Sequence, residues 1–399
     1  MLPASNDTTT RTGPPMDSPT HETTPAPGRR LIALDAFRGL TVAGMILVNN
    51  PGSGKHVYPP LRHAEWHGFT PTDLVFPSFL FIAGVAIPLA LGRRVERGDS
   101  PAALTAKVVR RSALIFALGL FLTAFPFRKP LPELAATVRI PGVLQRIALC
   151  YLAAAVVYLR TGVRTQLAIV AGLLLGYWAA MTLVPVPGVG AGDLSRPNNL
   201  AAWIDRGLLP GHLYKPDYDP EGLLSTLPAV ATTLIGVLAG QWVAGRGRSL
   251  SRVSAGLAGA GALLLVTGGA WDEVFPINKA LWTSSFVLFT AGLSSLGLAL
   301  FVWLIEVRGL RRWAWPFVVF GSNALAGYAL SGLLARVLTL VTVPAADGRA
   351  VDLKSWLYTT GFASWADPTF ASFLYALAYV LLWLGVLAVL YRFRVFLRL

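Results

Sequence analysis

Long apolar runs follow one another along almost the whole chain, each closed by a short polar segment. Their length, about 18 to 25 residues, lets a helix cross the hydrocarbon core of a bilayer. Ten runs read as spans, near 31–49, 73–91, 108–125, 141–160, 165–184, 225–243, 253–270, 281–304, 313–341 and 369–391. They are too long and continuous for barrel strands, and in hydrocarbon the backbone must satisfy itself. The pattern predicts an all-α polytopic membrane protein of about ten transmembrane helices. Residues 1–28, rich in Thr, Pro and Ser, lack both such a run and the apolar stretch of a signal peptide. They read as a disordered cytoplasmic tail ahead of one transmembrane domain, 29–399.

The charges between the runs alternate. One set of connections holds Arg29/Arg30, Arg93/Arg94/Arg97/Lys107, Arg160/Arg164, Arg246/Arg248/Arg252, Arg308/Arg311/Arg312 and Arg392/Arg394/Arg398. The other holds most of the acids, from Glu65 and Glu133 through Asp193, Asp205, Asp217, Asp219 and Glu221 to Asp367. Lys/Arg bias marks the cytoplasmic side. The expectation is therefore a multi-pass protein of the inner or plasma membrane with both termini cytoplasmic. The net charge of +14 belongs to this topology and to anionic lipid, because no basic, aromatic-interleaved soluble segment exists to bind nucleic acid. The composition agrees, with 54% hydrophobic and 14% charged residues. A single cysteine, Cys150, excludes an intrachain disulfide and a Cys/His metal cluster.

Titratable chemistry concentrates in one outer loop. Three of the five histidines, His56, His63 and His67, lie there beside Asn49, Asn50, Glu65, Trp66 and Asp73. Histidine suits proton transfer near neutral pH. Asp73 opens the second span, where a carboxylate also serves as a helix cap. Three histidines without a fourth ligand pattern make a weak metal site, so no metal is assigned. The aromatics of the outer loops fit either sugar faces or an interfacial belt.

Other polar residues sit within the runs. Asp35 and Arg38, three apart on one helix face, read as a pair or as a cation for an anionic cytosolic ligand. Arg139-Ile140-Pro141-Gly142-Val143-Leu144-Gln145-Arg146 carries an amide and two arginines to the fourth span, and an arginine at that depth needs a carboxylate or a bound anion. Asn278 and Lys279 precede the eighth span; Asn323 and Tyr328 lie in the ninth, where Asn323 also reads as interhelical glue.

Together these segments resemble a known family. Leu34-Asp35-Ala36-Phe37-Arg38-Gly39, the Met45–Asn50 exit, His63-Ala64-Glu65-Trp66-His67-Gly68-Phe69-Thr70-Pro71-Thr72-Asp73, Arg139–Arg146, Pro276–Ser285 and Gly321–Tyr328 resemble, in order, the heparan-α-glucosaminide N-acetyltransferase family and its bacterial relatives. The resemblance implies a transmembrane acyltransferase fold that takes acetyl-CoA from the cytosol and acetylates the amine of a glucosamine-type sugar or glycan outside. It maps the active-site histidine onto His63 and its companion asparagine onto Asn49, with Asn50 a rival. On that basis His63 acts as base or as acetyl carrier, Asn49 stabilises the oxyanion and Asp73 fixes the imidazole tautomer. Arg38, Arg110 and Arg111 are the candidate acetyl-CoA contacts. Asn50, Trp66, Gln145, Arg146, Asn278, Lys279 and Asn323 are the candidate acceptor contacts. The expected partners are acetyl-CoA, the acceptor and the bilayer, with a homodimer left open. An amino-sugar transporter without chemistry and an O-acyltransferase of an envelope glycan remain as alternatives.

Overall fold

The computed structural model describes residues 31–245, 247–345 and 349–397. The tail expected at 1–28 lies outside them, as do Arg29, Arg30, Arg246, Asp347 and Arg398. The chain begins with α1 (Ile32–Asn49), a tight turn over Pro71–Leu74 and α2 (Val75–Glu96), then α3 (Pro101–Ala124), the short α4 (Leu131–Thr137), α5 (Val143–Arg160) and α6 (Val163–Leu183). An outer segment with α7 (Leu200–Leu208) leads to α8 (Leu223–Ala244), α9 (Leu250–Asp272) and α10 (Ser284–Phe301), which runs on as a π turn over Val302–Val307. Next come α11 (Trp315–Ser322), α12 (Ala324–Leu340), a hairpin of β1 (Thr342–Pro344) and β2 (Ala350–Asp352), α13 (Leu353–Tyr358) and α14 (Pro368–Arg392). The polytopic all-α architecture is as expected from the apolar runs.

The count of ten needs one refinement. Among the described residues, 8 helices are long and apolar enough to span, and α11 with α12 makes a ninth. The run at 313–341 is therefore not one rod but two helices bent by 72° at Asn323. The tenth, α3, has 24 residues but carries Lys107, Arg110 and Arg111 along its first half. Its apolar remainder, Ser112–Ala124, is about 20 Å long at 1.5 Å per residue, short for a full crossing.

Small residues let the central helices approach closely. A Cβ added at Gly39 of α1 would overlap the Phe317 carbonyl of α11, and one at Gly321 would overlap the Asp35 carbonyl. Gly84 of α2 and Gly236 of α8 meet in the same way. These contacts are the small-residue packing expected where no hydrophobic effect drives helices together. They pull α1, α2, α8 and α11 into one core and leave α3, α5 and α12 to wall the cavities beside it.

Candidate active site

The loop after α1 is held on several sides. Gly52 N donates to Ser372 O at 3.1 Å and Gly68 N donates to Ile277 O at 2.8 Å. Gly68 has φ +103°, a conformation that favours glycine. Thr70 and Asp73 form a reciprocal capping box over the Pro71–Leu74 turn. That box buries Asp73 completely, with Oδ2 accepting from Ala64 N at 3.1 Å, Thr70 N at 3.1 Å and Thr70 Oγ1 at 3.0 Å. Oδ1 is thereby aimed at His63 Nδ1, 2.6 Å away. Capping and histidine orientation are thus two uses of one carboxylate.

Lys279 completes this group from 216 residues away. Its Nζ lies 3.5 Å from Asp73 Oδ1, 2.9 Å from His63 Nδ1 and 3.3 Å from His63 Nε2. Nδ1 can serve only one of its two neighbours. The buried carboxylate is the stronger and shorter partner, so Nδ1 carries the proton and donates to Asp73. Nε2 then keeps its lone pair on a side chain that is 51% exposed. Burial lowers the Lys279 pKa below the usual lysine value, against the opposing charges of Asp73 and Glu221. The loop presenting this lysine is rigid: Asn278 N donates to Thr283 Oγ1 at 3.0 Å, Asn278 Oδ1 accepts from Leu281 N at 2.9 Å, and Trp282 adopts φ 54°.

The other expected residues fall into separate places. Asn278 also faces His67 Nδ1 at 3.4 Å, and burial lowers the His67 pKa against the opposing Asp272 charge, in surroundings separate from those of His63. Trp66 donates from Nε1 to Leu194 O at 2.9 Å and packs on Tyr218, with Arg196 over both rings. It staples the outer segment to the His63 loop. Arg146 is fully buried on the face of Trp282 and donates to Gly222 O and Ser225 Oγ. The carboxylate expected for it goes instead to Arg139, which binds Asp219 and Glu221. Asn323 stands at the helix break and uses both amide atoms on the carboxy-terminal backbone, donating to Val395 O at 3.0 Å and accepting from Leu397 N at 2.8 Å. It is glue at the far end of α1 from His63, not a companion of the histidine.

Two cavities lie between α1, α3, α5 and α12, the first of them walled also by α2. One, of about 420 Å³, is lined by Asp35, Arg38, Arg111, Tyr151 and the carboxy-terminal Phe396 and Leu397. Arg38 is pinned there by Asp35 and by Gly321 O, and Arg111 lies over the Tyr151 ring at 5.1 Å. Arg110 is exposed and lines neither cavity. The second, of about 410 Å³, is lined by Asn49, Asn50, Arg139, Gln145, Tyr328 and Arg336. The walls of the two come within a turn of each other on three helices: Ile115 and Gly119, Ile147 and Leu144, Leu325 and Tyr328. Asn50 spends its amide on Ile46 O at 2.7 Å, whereas the Asn49 side chain has no hydrogen bond among the described residues. The Arg139–Glu221 pair links this second cavity to Lys279, on which the Glu221 charge acts. Arg336 was missed in the sequence, although an arginine inside an apolar run was the signal for it.

Residues 30–272 match the family described as heparan-α-glucosaminide N-acetyltransferase, catalytic. The chain is 32% identical over 358 residues to heparan-α-glucosaminide N-acetyltransferase of Mus musculus, covering 77% of this chain and 54% of the relative. It is 32% identical over 350 residues to the protein of the same name from Homo sapiens, covering 75% and 52%. The chain thus spans about half the length of these curated relatives. With the family match running across His63, Asp73 and the Arg139–Arg146 segment, the chain belongs to the heparan-α-glucosaminide N-acetyltransferase catalytic family.

Proposed function

We propose that this protein is a transmembrane acetyltransferase that carries acetyl from acetyl-CoA, entering on the Arg38 side, to the amine of a glucosamine-type sugar on the His63 side. The observation that carries this reading is the pairing of a buried carboxylate with an exposed imidazole, in a membrane domain that also holds two cavities whose walls come within a helical turn of each other. Arg38 and Arg111 supply cations for the phosphates of the donor. The arginine-rich connections support a cytosolic placement of that side.

The reaction follows from the tautomer. The acceptor amine is protonated in water and attacks only when neutral, so His63 Nε2 takes its proton. The amine nitrogen bonds to the thioester carbon, the C–S bond breaks, and the sulfur leaves as a thiolate that is protonated to the free thiol. Asp73 stabilises the imidazolium that forms. The Lys279 ammonium beside His63 and the Asn49 amide in the second cavity are the donors offered to the oxyanion. The same Nε2 lone pair can alternatively attack the thioester and carry acetyl as an acyl-imidazole.

The test is incubation of purified protein in nanodiscs with labelled acetyl-CoA and a panel of glucosamine-containing acceptors. Transfer to the amine, abolished in His63→Ala while acetyl-CoA still binds, is expected. Transfer to hydroxyls alone would make it an O-acyltransferase. Amino-sugar uptake into liposomes that survives His63→Ala would make it a transporter.

A further inference from the structure

The second cavity contains a donor with nothing to bind. Gln145 is 3% exposed, lines that cavity, and its Nε2 has no hydrogen-bond partner. A buried amide left unmade costs about 1 to 3 kcal/mol, so such a group marks a position where a ligand atom belongs. The amide is also held in place. A Cβ at Gly119 of α3 would overlap Gln145 Oε1, and a Cβ at Gly142 would lie 2.7 Å from it. Two glycines thus form a slot into which the Gln145 amide packs, its oxygen nearest to both. Gly119 and Gly142 line the same cavity, at the level where its wall approaches that of the Arg38 cavity.

A neutral N–H donor at that place suits a neutral oxygen acceptor that gains charge. Asn49, with its own side chain free, faces the same space. The reactive end of a donor entering past Arg38 and Arg111 must reach this cavity to meet an acceptor on the far side. Building on the acetyl-transfer reading above, we propose that Gln145 Nε2 hydrogen-bonds the carbonyl oxygen of the donor's thioester. It strengthens that bond as the oxygen becomes an oxyanion. Gln145 is then a catalytic residue acting on the acetyl donor, not an acceptor contact.

The test compares Gln145→Leu with the wild-type chain in nanodiscs, reading acetyl transfer, binding of acetyl-CoA and of CoA, and thermal unfolding. Removing one oxyanion donor lowers kcat about 10²- to 10³-fold, with CoA affinity expected to stay within threefold. Isotope-edited infrared spectra of 13C-carbonyl acetyl-CoA, taken in a His63→Ala background that stops turnover, should show a thioester stretch shifted down by the hydrogen bond. That shift should vanish in His63→Ala/Gln145→Leu. Should Gln145→Leu fail to fold, Gly142→Ala pushes the amide out of its slot without removing it and should lower kcat in the same sense. An unchanged kcat, an unshifted carbonyl stretch, or equal loss of CoA and acetyl-CoA binding overturns the proposal. A wild-type chain that binds acetyl-CoA but acetylates no amine would instead sink the acetyltransferase reading, and this inference would fall with it.

Discussion

Asp73→Asn separates the two uses of this carboxylate. The Oδ2 position serves three local donors, Ala64 N, Thr70 N and Thr70 Oγ1, at 3.0 to 3.1 Å. An asparagine keeps its oxygen there, because three donors outweigh any alternative, and α2 stays capped. Its NH2 group must then occupy the Oδ1 position, 2.6 Å from His63 Nδ1 and 3.5 Å from Lys279 Nζ. Donor would face donor. The imidazole escapes by moving its proton to Nε2, which removes the lone pair needed for the acceptor amine. A wrong tautomer in a histidine–carboxylate pair lowers kcat by about 10⁴, or about 5 kcal/mol at 1.36 kcal/mol per decade. The stability cost is smaller, about 1 kcal/mol, since the cap survives and only the charge is lost.

The assay is single-turnover acetyl transfer with labelled acetyl-CoA, alongside acetyl-CoA binding and thermal unfolding of the same preparation. A loss of 10³-fold or more in kcat is expected, with donor affinity within threefold, because Asp73 lines neither cavity. Activity within tenfold of wild type would show that Asp73 is only a helix cap. Loss of donor binding together with activity would show that the loop had collapsed. Either result refutes the reasoning.

Further predictions follow from other parts of the structure. Arg111→Ala should raise KM for acetyl-CoA about 10- to 100-fold, the weight of one charge-assisted hydrogen bond, while Arg110→Ala, outside both cavities, should leave steady-state kinetics unchanged. Burial lowers the Lys279 pKa, so its cation is lost early as pH rises. Lys279→Arg keeps the charge, and the alkaline limb of its pH–rate profile should move to higher pH. Burial pushes the Asp205 carboxyl up to about 6, against the Leu223 amide that favours its charge. The folded state therefore holds this proton more tightly than the unfolded chain. Its stabilising contribution is complete below the unfolded value of 3.8 and is lost as pH rises through about 6. Asp205→Asn should remove that loss, worth up to about 3 kcal/mol above pH 7, seen as a thermal midpoint higher than wild type at pH 8 and level with it near pH 4.

What the sequence disclosed and what it withheld divide along a physical line. Span length is a one-dimensional property, so the apolar runs located the helices, although α3 begins at Pro101 before its run, α2 continues to Glu96 and the run at 313–341 breaks at Asn323. The spacing of His63 and Asp73 was legible because a single capped turn lies between them. Lys279 reaches the same imidazole only because Gly68 N and Ile277 O dock two distant loops at 2.8 Å, and no periodicity encodes such a contact. The buried arginines show a subtler limit. Sequence dictates that a cation at depth must be compensated, but not by what: Arg139 takes two carboxylates, whereas Arg146, seven residues on, takes a carbonyl, a hydroxyl and an indole face. That division has a consequence for the site. Glu221, although paired with Arg139, still acts through its charge on Lys279, as the second of the two acids that oppose the effect of its burial. A carboxylate held by an arginine outside the His63–Asp73 pair thus helps keep the ammonium beside His63 charged.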